Sequence, residues 1–195
     1  MYSECDCSKG SNPMTFLSLI SRPERTYKEL SGTNRGLAQA GLIVIVLAVV
    51  NVSHFILFNE LPPVQPGLEW TWKIGVVIGT VVAVALIFLL WLYFVVSSFL
   101  VISLFGKVPN FAPITRVVGL SFFFLLLGRI AAILLQIVGI SHAATNWIYS
   151  AFLIWALLEM ALGLKSALRI PAIDAGFAVV LPAIVLELLV FLLIF

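Results

Sequence analysis

After a polar start the chain settles into long apolar runs broken by short polar turns: Leu37 to Phe58, Ile74 to Phe105, Ile114 to Ile140, Trp147 to Leu168 and Ile173 to Phe195. About 20 apolar residues carry an α-helix across the hydrocarbon layer, and each run reaches that length. In lipid every backbone amide must be bonded within its own segment or inside a closed barrel. A barrel needs strands of about 10 residues in strict alternation, which these unbroken runs lack. The pattern predicts an all-α integral membrane protein, a bundle of five transmembrane helices occupying residues 36–195.

Residues 1–35 read differently. MYSECDCSKGSN is small, polar and glycine-bearing, the composition of a loose tail. An apolar stretch follows at Phe16, Leu17, Leu19 and Ile20. Ser21 and Glu24 then have capping-box spacing, and Pro23 stands in the tolerant first turn of a helix that stops near Gly32. This helix is too short to span and is expected to be cytoplasmic and amphipathic. Two placements fit it. In one it lies in the headgroup layer, with Phe16, Leu17 and Ile20 toward the membrane and Arg22, Arg25 and Lys28 toward lipid phosphates. In the other it packs on the cytoplasmic face of the bundle.

Composition and charge sharpen the picture. At 62% hydrophobic and 10% charged, the chain has too little polar surface for a soluble globule of this size. The net charge of +2 matters less than its distribution. With the N-terminus cytoplasmic, Lys9, Arg22, Arg25, Lys28, Arg35, Lys107, Arg116, Lys165 and Arg169 share the cytoplasmic side and Lys73 alone lies opposite. This bias predicts an N-in, C-out topology. The first apolar run is too long for a cleavable signal and is expected to be retained. The connection from Asn59 to Lys73 holds Pro62, Pro63 and Pro66, then Trp70 and Trp72, which suits an extended loop ending in an interfacial aromatic anchor. The second run, roughly 48 Å as a helix, must tilt or project beyond the membrane.

Three ionisable residues are stranded inside spans: Arg129, Glu159 and Glu187. Counted from the cytoplasmic ends of their helices they lie roughly 22, 16 and 20 Å deep. A charge at that depth costs on the order of 3 kcal/mol, so the three are expected to face inward and pair. Such a clasp makes Arg129→Leu destabilising by more than about 3 kcal/mol. The same residues would also serve a proton- or cation-responsive site. Gln136, two turns from Arg129, either extends this polar seam or bonds a helix carbonyl. Gly75 and Gly79 form a small-residue pair that suits a close helix contact or a dimer, with packing inside the bundle the expected use. Pro182 is expected to kink the last span, and Asn51, Ser53 and His54 read as interfacial or interhelical hydrogen-bonders.

Other chemistry finds little footing. Cys5 and Cys7 stand on the cytoplasmic side, while His54 and His142 fall near the opposite surface, about 30 Å away. They cannot share one metal ion. Ser141 beside His142 lacks a third member of a hydrolase triad. No phosphate-binding loop, metalloprotease motif or basic-aromatic stripe for nucleic acid is present. No cofactor is expected, and the partners implied are the lipid bilayer and other membrane proteins or a second copy.

The segment FLSLISRPERTYKEL ahead of five spans, and the turn FGKVPNFAPITRVVGLSFFFLLLGRI between spans two and three, resemble the Yip1 domain family. The matching positions are Pro23, Arg25 and Tyr27, then Gly106, Phe111 and Gly119. The DLYGP-type signature of the eukaryotic Golgi members is missing, which points to a prokaryotic or divergent member and away from a direct Rab-GTPase role. The resemblance implies a five-helix membrane scaffold or trafficking protein without chemistry of its own. The alternative left open by the buried charges is a small transporter or channel subunit.

Overall fold

The computed structural model describes residues 23–31, 34–58 and 69–194. They form six helices: α1 (Pro23–Ser31), α2 (Asn34–Phe58), α3 (Glu69–Leu104), α4 (Phe111–Ile137), α5 (His142–Leu168) and α6 (Ala172–Ile194). The last five are long and apolar enough to cross a membrane. Among the described residues there is no strand. Phe16, Leu17, Ile20, Arg22, Cys5 and Cys7 lie outside the described residues.

The connections after α3, α4 and α5 are short, so the long helices they join run in opposite directions. Gly106 (φ 73°) and Gly139 (φ 90°) turn the chain after α3 and α4 in the left-handed region that glycine adopts without penalty. Asn110 caps α4 by accepting from the Ala112 amide at 3.0 Å, and Ser141 caps α5 through the Ala144 amide at 3.4 Å. The α3–α4 turn is tied to the start of α6 by Lys107 and Asp174, 2.7 Å apart.

Helix α4 is the hub. The most apolar 18-residue stretch of α4 is 61% buried, against 39% for that of α2. It packs against α5 and α2 through Val117, Val118, Leu120, Phe122 and Phe124, all at most 1% exposed. Two helices without a hydrophobic drive to meet in lipid come together by close packing of small residues. Here Gly119 faces Ala40, Gly128 faces Phe152, and Gly163 faces Val117 and Tyr27.

Pro182 lies inside α6. Lacking an N–H, it leaves the Ala178 carbonyl, four residues back, without its helical donor. The buried Ser98 hydroxyl of α3 donates to that carbonyl at 2.9 Å. One turn away, the Tyr93 hydroxyl donates to the Pro182 carbonyl at 2.7 Å. Proline and serine are thus a compensating pair across two helices, because an unmet carbonyl in hydrocarbon is expensive. Ser98→Ala should lower stability by about 1–2 kcal/mol. Adding Pro182→Ala, which restores the amide donor, should recover most of that loss in a double-mutant cycle of thermal denaturation. Additive losses would contradict the pairing.

Candidate functional site

The polar residues inside the bundle gather at two levels. At the end where α2 and α4 finish and α5 begins, Gln136 is the centre of a hydrogen-bond network. Its Oε1 lies 2.9 Å from His54 Nε2. Its Nε2 lies 2.9 Å from Thr145 Oγ1 and 3.2 Å from His142 Nδ1. With the amide so oriented, His54 donates through Nε2 and His142 accepts at Nδ1. The network joins α2, α4 and α5, so Gln136 extends a polar seam and His54 is an interhelical partner. Asn51 and Ser53 instead bond within α2, to the Leu47 and Val49 carbonyls, each at 2.9 Å.

Arg129 sits two turns below Gln136. Its guanidinium carbon lies 4.4 Å from the Tyr149 ring centroid, a cation–π contact worth up to about 2 kcal/mol when desolvated. The Gly128–Phe152 contact brings α5 close enough for this. Arg129 Nε is buried without a hydrogen-bond partner, and among the described residues no carboxylate lies within ion-pair distance of it.

The expected clasp of Arg129 with Glu159 and Glu187 is therefore not formed, and the helix register explains why. Gly128 stands against Phe152 and Gly163 against Val117, so Glu159 lies level with Ser121, roughly 12 Å along the axis from Arg129. Glu159 is 6% exposed. It accepts from the Trp155 indole at 3.2 Å through Oε1, and its Oε2 is buried without a partner. Glu187 is on α6, which packs on α3 and α5 and makes no contact with α4. It faces outward from the bundle. Arg129→Leu consequently strands no partner carboxylate. We expect it to change thermal stability in neutral detergent by less than about 2 kcal/mol. A loss above about 3 kcal/mol would restore the clasp.

The second level lies at the opposite end, around Tyr27. This side chain is fully buried, its hydroxyl 3.1 Å from Ser121 Oγ. Ser121 donates to the Val117 carbonyl at 2.9 Å, so Tyr27 donates to Ser121. Burial pushes the Tyr27 phenol above its usual range, the Ser121 bond opposes that shift, and the nearby Glu159 adds to it. Helix α1 is docked on α5 and α4, with Lys165 reaching Glu24 at 2.8 Å. Tyr27 is an anchor into the bundle rather than a membrane-surface contact. Arg25 and Lys28 point outward, and Arg25 pairs with Glu29 at 2.8 Å. Pro23 opens the helix.

Gly75 and Gly79 do not pack helices either: a Cβ at either would meet nothing within 4 Å. They line a cavity of about 780 Å³ between α2 and α3, with Arg129 in its wall. The glycines that do permit close approach, Gly119, Gly128 and Gly163, were distinguishable only once their neighbours were known. Tyr149 and Thr145 also escaped sequence reasoning, because neither residue type is unusual near a helix end.

Comparison with curated proteins and with solved structures finds no match. The Yip1 domain family model matches residues 17–195. With five membrane-capable helices over that same stretch, the chain belongs to the Yip1 domain family.

Proposed function

We propose that this protein is a non-catalytic membrane scaffold of Yip1 type, acting through its lipid- and protein-facing surfaces. The observation that carries this reading is the separation of Arg129 from Glu159. Between their levels α4 and α5 are filled by the Gly128–Phe152 contact and by Phe124 tilted against Trp155, ring centroids 5.0 Å apart. An ion or proton relay needs polar groups in reach of one another, and these are not. The docked α1 supports the same reading, since it holds Arg25, Lys28 and Glu29 outward as a fixed charged platform.

Reconstituted liposomes test it. The scaffold reading expects no proton or cation flux above empty vesicles, and a photo-cross-linker at Lys28 should capture protein in cells where one at the core position Val117 does not. Flux that disappears in Glu159→Gln would replace the scaffold with the transporter.

The orientation is part of the proposal. Arg25, Lys28, Lys107, Arg116, Lys165 and Arg169 all lie at the α1 end, and this excess of basic residues supports a cytoplasmic α1 end. A membrane-impermeant thiol reagent should miss Cys5 and Cys7 in intact cells and label a Gln65→Cys variant. Labelling of the tail with protection of the loop would invert the topology.

A further inference from the structure

From Ile74 onward the buried residues of α3 are Phe94, Val95, Ser98, Val101 and Ile102, all toward its far end, and from Ile74 to Tyr93 none is buried. Its first half stands away from α2, and the gap is the cavity of about 780 Å³. That volume is in the range of about 300–1,000 Å³ typical of small-molecule sites. Its polar groups are confined to the outer half, where they are interspersed with Val52, Phe55, Ile56 and Val76. His54, Asn51, Arg129 and Thr80 supply the polar groups, at roughly 6, 10, 12 and 16 Å from the nearer helix ends. Deeper in, the wall is Val82, Ala83 and Leu86. Gly75 and Gly79 leave the α3 side open.

Polar groups held only in the outer half, over an apolar floor, match the polarity of a lipid molecule standing upright. The sign of the headgroup follows from Arg129. Its guanidinium has an aromatic face beneath it and no carboxylate among the described residues. A cation at this depth is stabilised by an anion, and the planar guanidinium suits a phosphate. Asn51 adds a donor close to the level of Arg129: it commits one amide hydrogen to Leu47 and retains the other. We propose that the cavity between α2 and α3 binds a single glycerophospholipid with an anionic headgroup, its phosphate on Arg129 and its chains along Val82, Ala83 and Leu86. This assigns a ligand to the groove and does not rest on the scaffold reading.

Native mass spectrometry of the full chain in neutral detergent, titrated with phosphatidylglycerol and phosphatidylcholine of matched chains, tests the proposal. The wild type should bind phosphatidylglycerol about tenfold more tightly, because phosphatidylcholine offers the same phosphate but also carries a choline cation that Arg129 repels. Gly79→Leu, whose side chain grows into open volume, should fold normally and lose the preference. Arg129→Gln should lose it and Arg129→Lys retain part of it, whereas Arg169→Asn at the opposite end should leave it intact. If Arg129→Gln does not fold, Gly79→Leu decides. Equal affinity for the two lipids, a preference that survives Gly79→Leu, or dimers that form without regard to lipid would each overturn the proposal. So would inorganic phosphate displacing phosphatidylglycerol at equal concentration, which would make the ligand a free anion.

Discussion

Gly119→Val is expected to leave the bundle unable to close. A Cβ at residue 119 would sit 2.5 Å from the Ala40 Cβ and 3.2 Å from its Cα. Real Cβ atoms do not approach that closely, and alanine has no rotamer by which to withdraw. Helices α4 and α2 must therefore separate along a contact where Val44, Leu47, Val118 and Leu120 are now at most 3% exposed. Separation forfeits dispersion contacts, the main attraction between helices in lipid. The expected loss is about 3 kcal/mol, at the upper end for overpacking. Thermal unfolding in detergent, followed by size-exclusion chromatography, would show it as a large fall in midpoint. Gly75→Ala is the counterpart: with nothing within 4 Å of the added atom, it should gain up to about 1 kcal/mol from helix propensity. Equal behaviour of the two variants would mean that the close approach does not hold α2 on α4.

Tyr27→Ala should release α1 from the bundle without unfolding the spans. The fully buried ring fills the space that Gly163 leaves open, with ring atoms 3.1 Å from where a Cβ would stand. Truncating a buried aromatic costs about 3–5 kcal/mol. A further tie, Lys165 to Glu24, is half exposed and is worth at most about 1 kcal/mol. Trypsin cleavage at Arg25 and Lys28, which requires local opening, should accelerate about 100-fold or more. Tyr27→Phe keeps the ring and loses only the Ser121 bond, a change of about 1 kcal/mol. Unchanged cleavage of Tyr27→Ala would show that α1 is held by something other than this ring. The same contact has a pH signature. The docked phenol holds its proton to higher pH than the unfolded chain, where the group titrates near about 10. Its contribution is thus complete below about pH 10 and is lost as pH rises beyond it. Cleavage of the wild type should accelerate in that alkaline range, and that of Tyr27→Phe should not.

The register error at Arg129 shows where sequence reasoning stopped. Depths of Arg129 and Glu159 counted from separate cytoplasmic turns placed both near mid-membrane. Counted from the shared turn at Gly139, Arg129 is 10 residues before it and Glu159 is 20 after it, a mismatch of about 15 Å. That signal was available, because a short turn between antiparallel helices sets their relative height. The position of Glu187 was not available, since nothing in α6 records that it packs on α3 and α5 and avoids α4. Ser98 was equally silent: a serine in an apolar run reads as tolerated polarity until the Ala178 carbonyl left by Pro182 is seen beside it.

The sequence by itself determined the number of spans, their helical character and their alternation. Hydrocarbon admits only segments that bond their own backbone, so length and polarity leave one solution. It also determined that a short helix with Pro23, Arg25 and Tyr27 precedes the spans. What only the tertiary structure decided was which faces meet. Helices uniformly apolar around their circumference carry no amphipathic stripe to say which side is inside. Gly119 and Gly128 face close neighbours while Gly75 and Gly79 face a cavity. Arg129 rests on Tyr149, and Tyr27 is driven into the bundle. Those choices follow from the fit of side chains across two or three helices, a property of pairs of surfaces that a single chain pattern does not encode.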